Sequence, residues 1–171
     1  MLRVTTHIAE ALAVAQSGLE TRVTMGYTQE FMKELDATAA EAALVLGDMA
    51  KLAELVAAVD SLSLGMSSQF LQAQLFRFGA HLGRHQGDPV AAERLFKGSA
   101  GLFREMSIPL WLAIVLLEHA EWLVAEDRSA EATSFVSEAR EIFKRLEAKP
   151  WLDRLDAVHA GTLAEISAQI I

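Results

Sequence analysis

Sliding the sequence against itself until Trp111 meets Trp151 brings like residues together without a gap, and the internal period this reveals, about 40 residues, restricts the fold more than any other feature. Phe31, Leu71, Trp111 and Trp151 share one column, and Ala40, Ala80, Ala120 and Ala160 share another. Gly47-Asp48 falls on Gly87-Asp88, where the next period has Asp127-Arg128, and His119 falls on His159. Leu62-Ser63, Leu102-Phe103 and Ile142-Phe143 mark the far end of the second helix of each period. Within a period the apolar residues recur at helical spacing. Leu112, Val115, Leu116, His119, Ala120 and Leu123 form one broad stripe, and Ala132, Phe135, Val136, Ala139, Ile142 and Phe143 form the next. A helix with so wide an apolar face is not stable alone, but stacked helix pairs bury a shared core, with alanine columns where two backbones approach.

The breaks agree with the period. Gly87-Asp88-Pro89 supplies a helix terminator, an N-cap and a first-turn proline in the order helix ends prefer, and Gly26, Gly65, Pro109 and Pro150 punctuate other junctions. The pattern predicts helices near 5–25, 28–46, 49–63, 67–86, 89–106, 109–126, 129–147 and 150–169. The expected fold is all-α: a right-handed α-α superhelix, a tetratricopeptide-like solenoid of about eight antiparallel helices, forming a single domain over residues 1–171. Because 5–25 reads as a second helix without its partner, the chain is expected to be a fragment or the C-terminal part of a longer array; a short protein opening on a capping helix is the alternative. Ile8, Leu12 and Leu19 would then be uncovered, predicting a homodimer through the N-terminal helix.

Composition excludes several functions. The formal net charge of −8 argues against a general nucleic-acid or anionic-membrane surface. With no cysteine there is no disulfide, thiolate metal site or cysteine nucleophile. The longest apolar run, Ile108 to Leu117, contains a proline and falls far short of the roughly 20 residues that span a bilayer. A cytoplasmic location is expected.

The stretch from Leu102 through Pro109, Trp111, His119 and Trp122 to Leu123, with Ile142 to Leu155 after it, resembles the C-terminal tetratricopeptide region of large bacterial signalling regulators. In those proteins a cyclase domain, or a LuxR-type or other transcriptional-activator module, is joined to an ATPase core and a helical repeat tail. The resemblance is strongest from about residue 87 and implies a scaffolding or sensory role. Ala80 and Ala92 would take the small positions of the motif, Phe96 its aromatic one and Ser99 its third small one. The period departs from the usual tetratricopeptide length of about 34 residues, so the helices are longer here. No nucleotide-binding loop, cyclase carboxylate set or helix-turn-helix is present, and none of that activity carries over.

Candidate chemistry is sparse. His81 and His85 have the spacing of two metal ligands on one helix but lack a carboxylate between them, so solvated or partner-facing histidines are the simpler reading. His119 and His159 sit on apolar stripes and read as packing residues. Glu118 and Glu121 could form an acid/base pair only in an environment the sequence does not reveal. Gly98, Ser99 and Gly101 lie inside a periodic helix, where small residues serve close packing rather than a phosphate loop. No catalytic residue, cofactor site or metal site is expected. The set with most to say is Gln74, Arg77, His81 and Arg84, spaced by three and four along one first helix, with Glu41 and Glu121 on the repeats either side. It would form a concave face for an acidic protein or peptide, or for other domains of the parent protein; an ordinary solvated face is the alternative. A second functional reading is a small-molecule inducer pocket around Trp111, Leu112, Val115 and Trp122.

Overall fold

Left-handed backbone recurs along the chain at a fixed interval, half the sequence period. Gly87, Ser107, Asp127 and Glu147 have φ values of 74°, 56°, 58° and 53°, and Gly47, two steps upstream of Gly87, has 73°. Each ends a helix in the same way. The N–H of the left-handed residue donates to the carbonyl three residues back, and the next N–H donates to the carbonyl five residues back, as in Asp48 to Ala43 (2.9 Å), Ile108 to Phe103 (3.0 Å) and Ala148 to Phe143 (3.0 Å). The residue that completes this motif also begins the next helix. Asp48 and Asp88 each accept from a backbone N–H three residues on through Oδ1 at 2.9 Å, so two residues stop one helix and cap another.

The structure, a computed structural model, describes residues 13, 30–60 and 68–168, with the side chains of 37–60 and 68–158. Among the described residues there are seven helices and no strand: α1 (Glu30–Leu46), α2 (Met49–Asp60), α3 (Gln69–Gln86), α4 (Pro89–Glu105), α5 (Pro109–Ala125), α6 (Ser129–Arg145) and α7 (Lys149–Ala168). They match the expected helices to within a few residues, because glycine, proline and Asp caps fixed the junctions. The expected helix at 5–25, with Ile8, Leu12 and Leu19 and the homodimer contact placed on it, lies outside the described residues, as do the side chains of Phe31, His159 and Ala160. No described helix is long and apolar enough to cross a membrane.

The chain divides into two units, Met1–Ser99 and Ala100–Ile171, the boundary falling within α4. In the first, α1 packs on α2, α2 on α3, and α1 also on α3. Ala39, Ala40, Ala42 and Ala43 meet Leu52, Leu55, Phe78 and Leu82 in one cluster. The N-terminal part of α4 lies close on α3: a Cβ built on Gly98 would come within 2.9 Å of the Phe76 ring, and Ser99 Oγ donates to the Ala73 carbonyl at 2.8 Å. Gly98 and Ser99 thus serve packing, as expected, while Gly101 has open space beside it.

In the second unit α5 packs on α6, α6 on α7, and α5 also on α7. The sequence period is visible in the packing itself. Phe103 stacks on Trp111 with centroids 6.2 Å apart, and Phe143 stacks on Trp151 at 5.9 Å. Helix α5 is buried on nearly every side, not along one stripe: Ala113, Ile114, Leu117, Glu118 and Trp122 join the expected Leu112, Val115, Leu116, His119, Ala120 and Leu123. A helix with two neighbours at different angles has no solvent face to keep polar.

Three of the left-handed positions carry a side chain, which costs a non-glycine residue about 1 kcal/mol. Aspartate tolerates this conformation better than glutamate, and Glu147 is exposed. Changing Glu147→Gly should therefore stabilise the chain by about 0.5–1 kcal/mol in urea denaturation, the gain offset in part by the freer unfolded chain. Unchanged or lowered stability would show that the Glu147 side chain contributes more than its backbone costs.

Candidate functional site

The residues expected on one polar face are sorted by the fold into interior and surface. Arg77 is fully buried on α3, and its Nη1 donates to Glu41 Oε2 on α1 at 2.6 Å. Its guanidinium also lies 4.9 Å from the centre of the Phe78 ring. Gln74, one turn earlier, is 3% exposed, and neither its Oε1 nor its Nε2 has a hydrogen-bond partner. His81 is half-buried and meets the Phe96 ring edge-on at 5.4 Å. Arg84 is exposed in the last turn of α3, where a cation also suits the carbonyl end of the helix. The expected stripe is thus polar interior at Gln74 and Arg77 and surface only toward Arg84.

Glu121 belongs to the second unit. Its two carboxylate oxygens accept from Arg154 Nε and Nη2 on α7, both at 2.6 Å, in the two-pronged geometry that favours arginine. Arg154 also lies 5.6 Å from the Trp151 ring centre. Beside this pair is an open depression of about 260 Å³ lined by Glu121, Val124, Arg154, Ala157 and Val158. Two periods earlier the same sequence columns hold Glu41, Leu44, Gln74, Arg77 and Phe78. Each unit therefore joins successive first helices, α1 to α3 and α5 to α7, by one glutamate and one arginine from the same region of the repeat.

Arg154 escaped the sequence reading, because a surface arginine so far along the chain from its glutamate is inconspicuous; the column shared by Glu41 and Glu121 was the usable signal. Leu112, Val115 and Trp122, expected to line an inducer pocket, are packed into the core, and Trp111 stacks on Phe103. His119 is buried, with ring centroids 5.7 Å from Trp122 and 4.4 Å from Phe135, the surroundings of a packing residue. Glu118 is buried and Glu121 is held by Arg154, so the two carboxylates face different environments. His85 is exposed, and no group of three or more metal-ligating side chains converges among the described residues.

Compared with models of known protein families and with curated proteins, the chain matches none.

Proposed function

We propose that the chain is a tetratricopeptide-like right-handed solenoid acting as a non-catalytic binding module, for a protein or peptide or for other domains of its own polypeptide. Its setting in this reading is cytoplasmic bacterial signal transduction or transcription control, as the resemblance of Leu102 to Leu155 to regulator tails implies. The observation that carries the proposal is the contact between alternate helices, α1 with α3 and α5 with α7, each sealed by a glutamate and an arginine. Alternate-helix contact is how repeats stack, and a stack of first helices makes an extended surface of the kind such arrays use for recognition. Charge at the surface of the first helices includes Arg84 in the first unit and the Glu121–Arg154 pair in the second.

The test is the melting temperature of the chain against the macromolecular and the small-molecule fractions of a bacterial extract. A ligand that binds the folded state at 100 times its Kd adds about 2.7 kcal/mol, several degrees for a chain of this size. The expected result is a shift with the macromolecular fraction that Arg84→Glu diminishes. A shift with the small-molecule fraction alone would instead favour an inducer at the depression beside Arg154, and no shift with either would remove the binding reading.

A further inference from the structure

Helix α4 is held at two places, by different neighbours at each. Its first part is locked on α3. A Cβ built on Gly83 would come within 3.2 Å of the Ala92 backbone nitrogen, and one on Gly79 within 3.3 Å of the Leu95 side chain. Phe96 is wholly buried with His81 edge-on to it, and Gly98 and Ser99 complete the contact against the Phe76 ring and the Ala73 carbonyl. Its last turns belong to the other unit. There Phe103 is wholly buried against Trp111 of α5, and Arg104 Nη2 donates to Glu138 Oε1 of α6 at 2.8 Å.

Ala100 and Gly101 stand between these anchors, and the boundary of the two units falls at Ser99 and Ala100. Gly101 is a glycine without a local reason. Its backbone is helical, so no left-handed turn requires it. A Cβ built there meets no neighbouring group among the described residues within 4 Å, so packing does not exclude alanine. Glycine nonetheless weakens a helix interior about five-fold relative to alanine. Helices also bend where glycine and serine lie together, as Gly98, Ser99 and Gly101 do here.

We propose that α4 is a joint: its hydrogen bonds open reversibly at Ala100 and Gly101, so that the parts of the chain on either side turn about this point while both sets of anchors stay made. The anchors fix the location. Opening before Ser99 would break the contact with α3, and opening at Phe103 would expose its ring, whereas Gly101 has no side chain to uncover. The joint is a property of the chain by itself and stands or falls apart from the binding reading.

The chain has no cysteine, so pairs of introduced cysteines carry spin labels with no native thiol to remove. Labels at Gln86→Cys and Arg145→Cys, both exposed, report across the joint, and labels at Ala57→Cys and Gln86→Cys report within the first unit alone. Double electron–electron resonance is expected to give a broad distance distribution for the first pair and a narrow one for the second. Gly101→Ala should narrow the first, cutting its population of outlying distances about five-fold. Hydrogen exchange followed by mass spectrometry locates the effect. Amides of residues 102–105, whose helical bonds run to residues 98–101, should slow about five-fold in the Gly101→Ala chain, while those of residues 93–97 stay unchanged. A first-pair distribution as narrow as the control in the unchanged chain would overturn the proposal, as would a broad one that Gly101→Ala leaves unaltered. Equal slowing in both stretches would overturn it too, since alanine would then be stabilising the whole chain and closing no local joint.

Discussion

Truncating Phe143 to alanine is expected to lower the folding free energy by about 3–5 kcal/mol, the usual cost of emptying an aromatic site in a close-packed core. Phe143 is fully buried on α6, and its ring lies parallel to Trp151 on α7 at 5.9 Å. Its carbonyl accepts from Ala148, the closing bond of the α6–α7 junction, so the same residue anchors both the core and the turn. Phe103→Ala removes the corresponding ring one period earlier and should cost a similar amount, because Trp111 stacks on it as Trp151 stacks on Phe143. Urea denaturation of both variants checks the equivalence. A loss below about 1 kcal/mol at either site would mean that the neighbouring tryptophan collapses into the space, which the close-packed surroundings do not favour.

Changing Gln74→Leu should act in the opposite direction, stabilising the chain by about 1–3 kcal/mol, the burden of a buried amide left without partners. Leucine is close to glutamine in size, so the change removes the polar atoms without opening a cavity. Gln72, half-buried on the same helix, serves as the control, and leucine there should shift stability by less than about 0.5 kcal/mol. A destabilised Gln74→Leu chain would show that the amide is satisfied in solution by an internal water, which typically bonds otherwise unmet buried groups.

The helices were legible from sequence because their ends are written in residues with few alternatives. Gly87 takes a left-handed turn readily, Asp88 offers a carboxylate to the next helix, and Pro89 fits a first turn. The junctions at Ser107 and Glu147 use the same backbone without glycine, so composition alone does not mark them as left-handed; their spacing from Gly87 does. The polar face was less legible. Residues three and four apart share a side of a helix, but that spacing does not say whether the side meets water or another helix. Arg77 and Arg84 stand a heptad apart on α3, yet one is sealed against Glu41 and the other is open. What separates them is the long-range pairing of columns, which only a second helix supplies. The all-round burial of α5 was obscured for a similar reason: the stripe through Leu112 and Val115 is real, but Ile114, Leu117 and Trp122 meet further neighbours.

The junctions of two or three residues also bear on how such a chain tolerates change in length. With no slack between helices, adding one residue inside α5 would swing every later side chain by about 100° around the helix axis, turning the partners of Phe143 and Glu121 away. Adding a whole repeat at a junction such as Asp127-Arg128 returns the backbone to the same left-handed step. The molecule can therefore grow or shrink in units of a helix pair but hardly by single residues, and length differences among proteins built this way should cluster at multiples of the period.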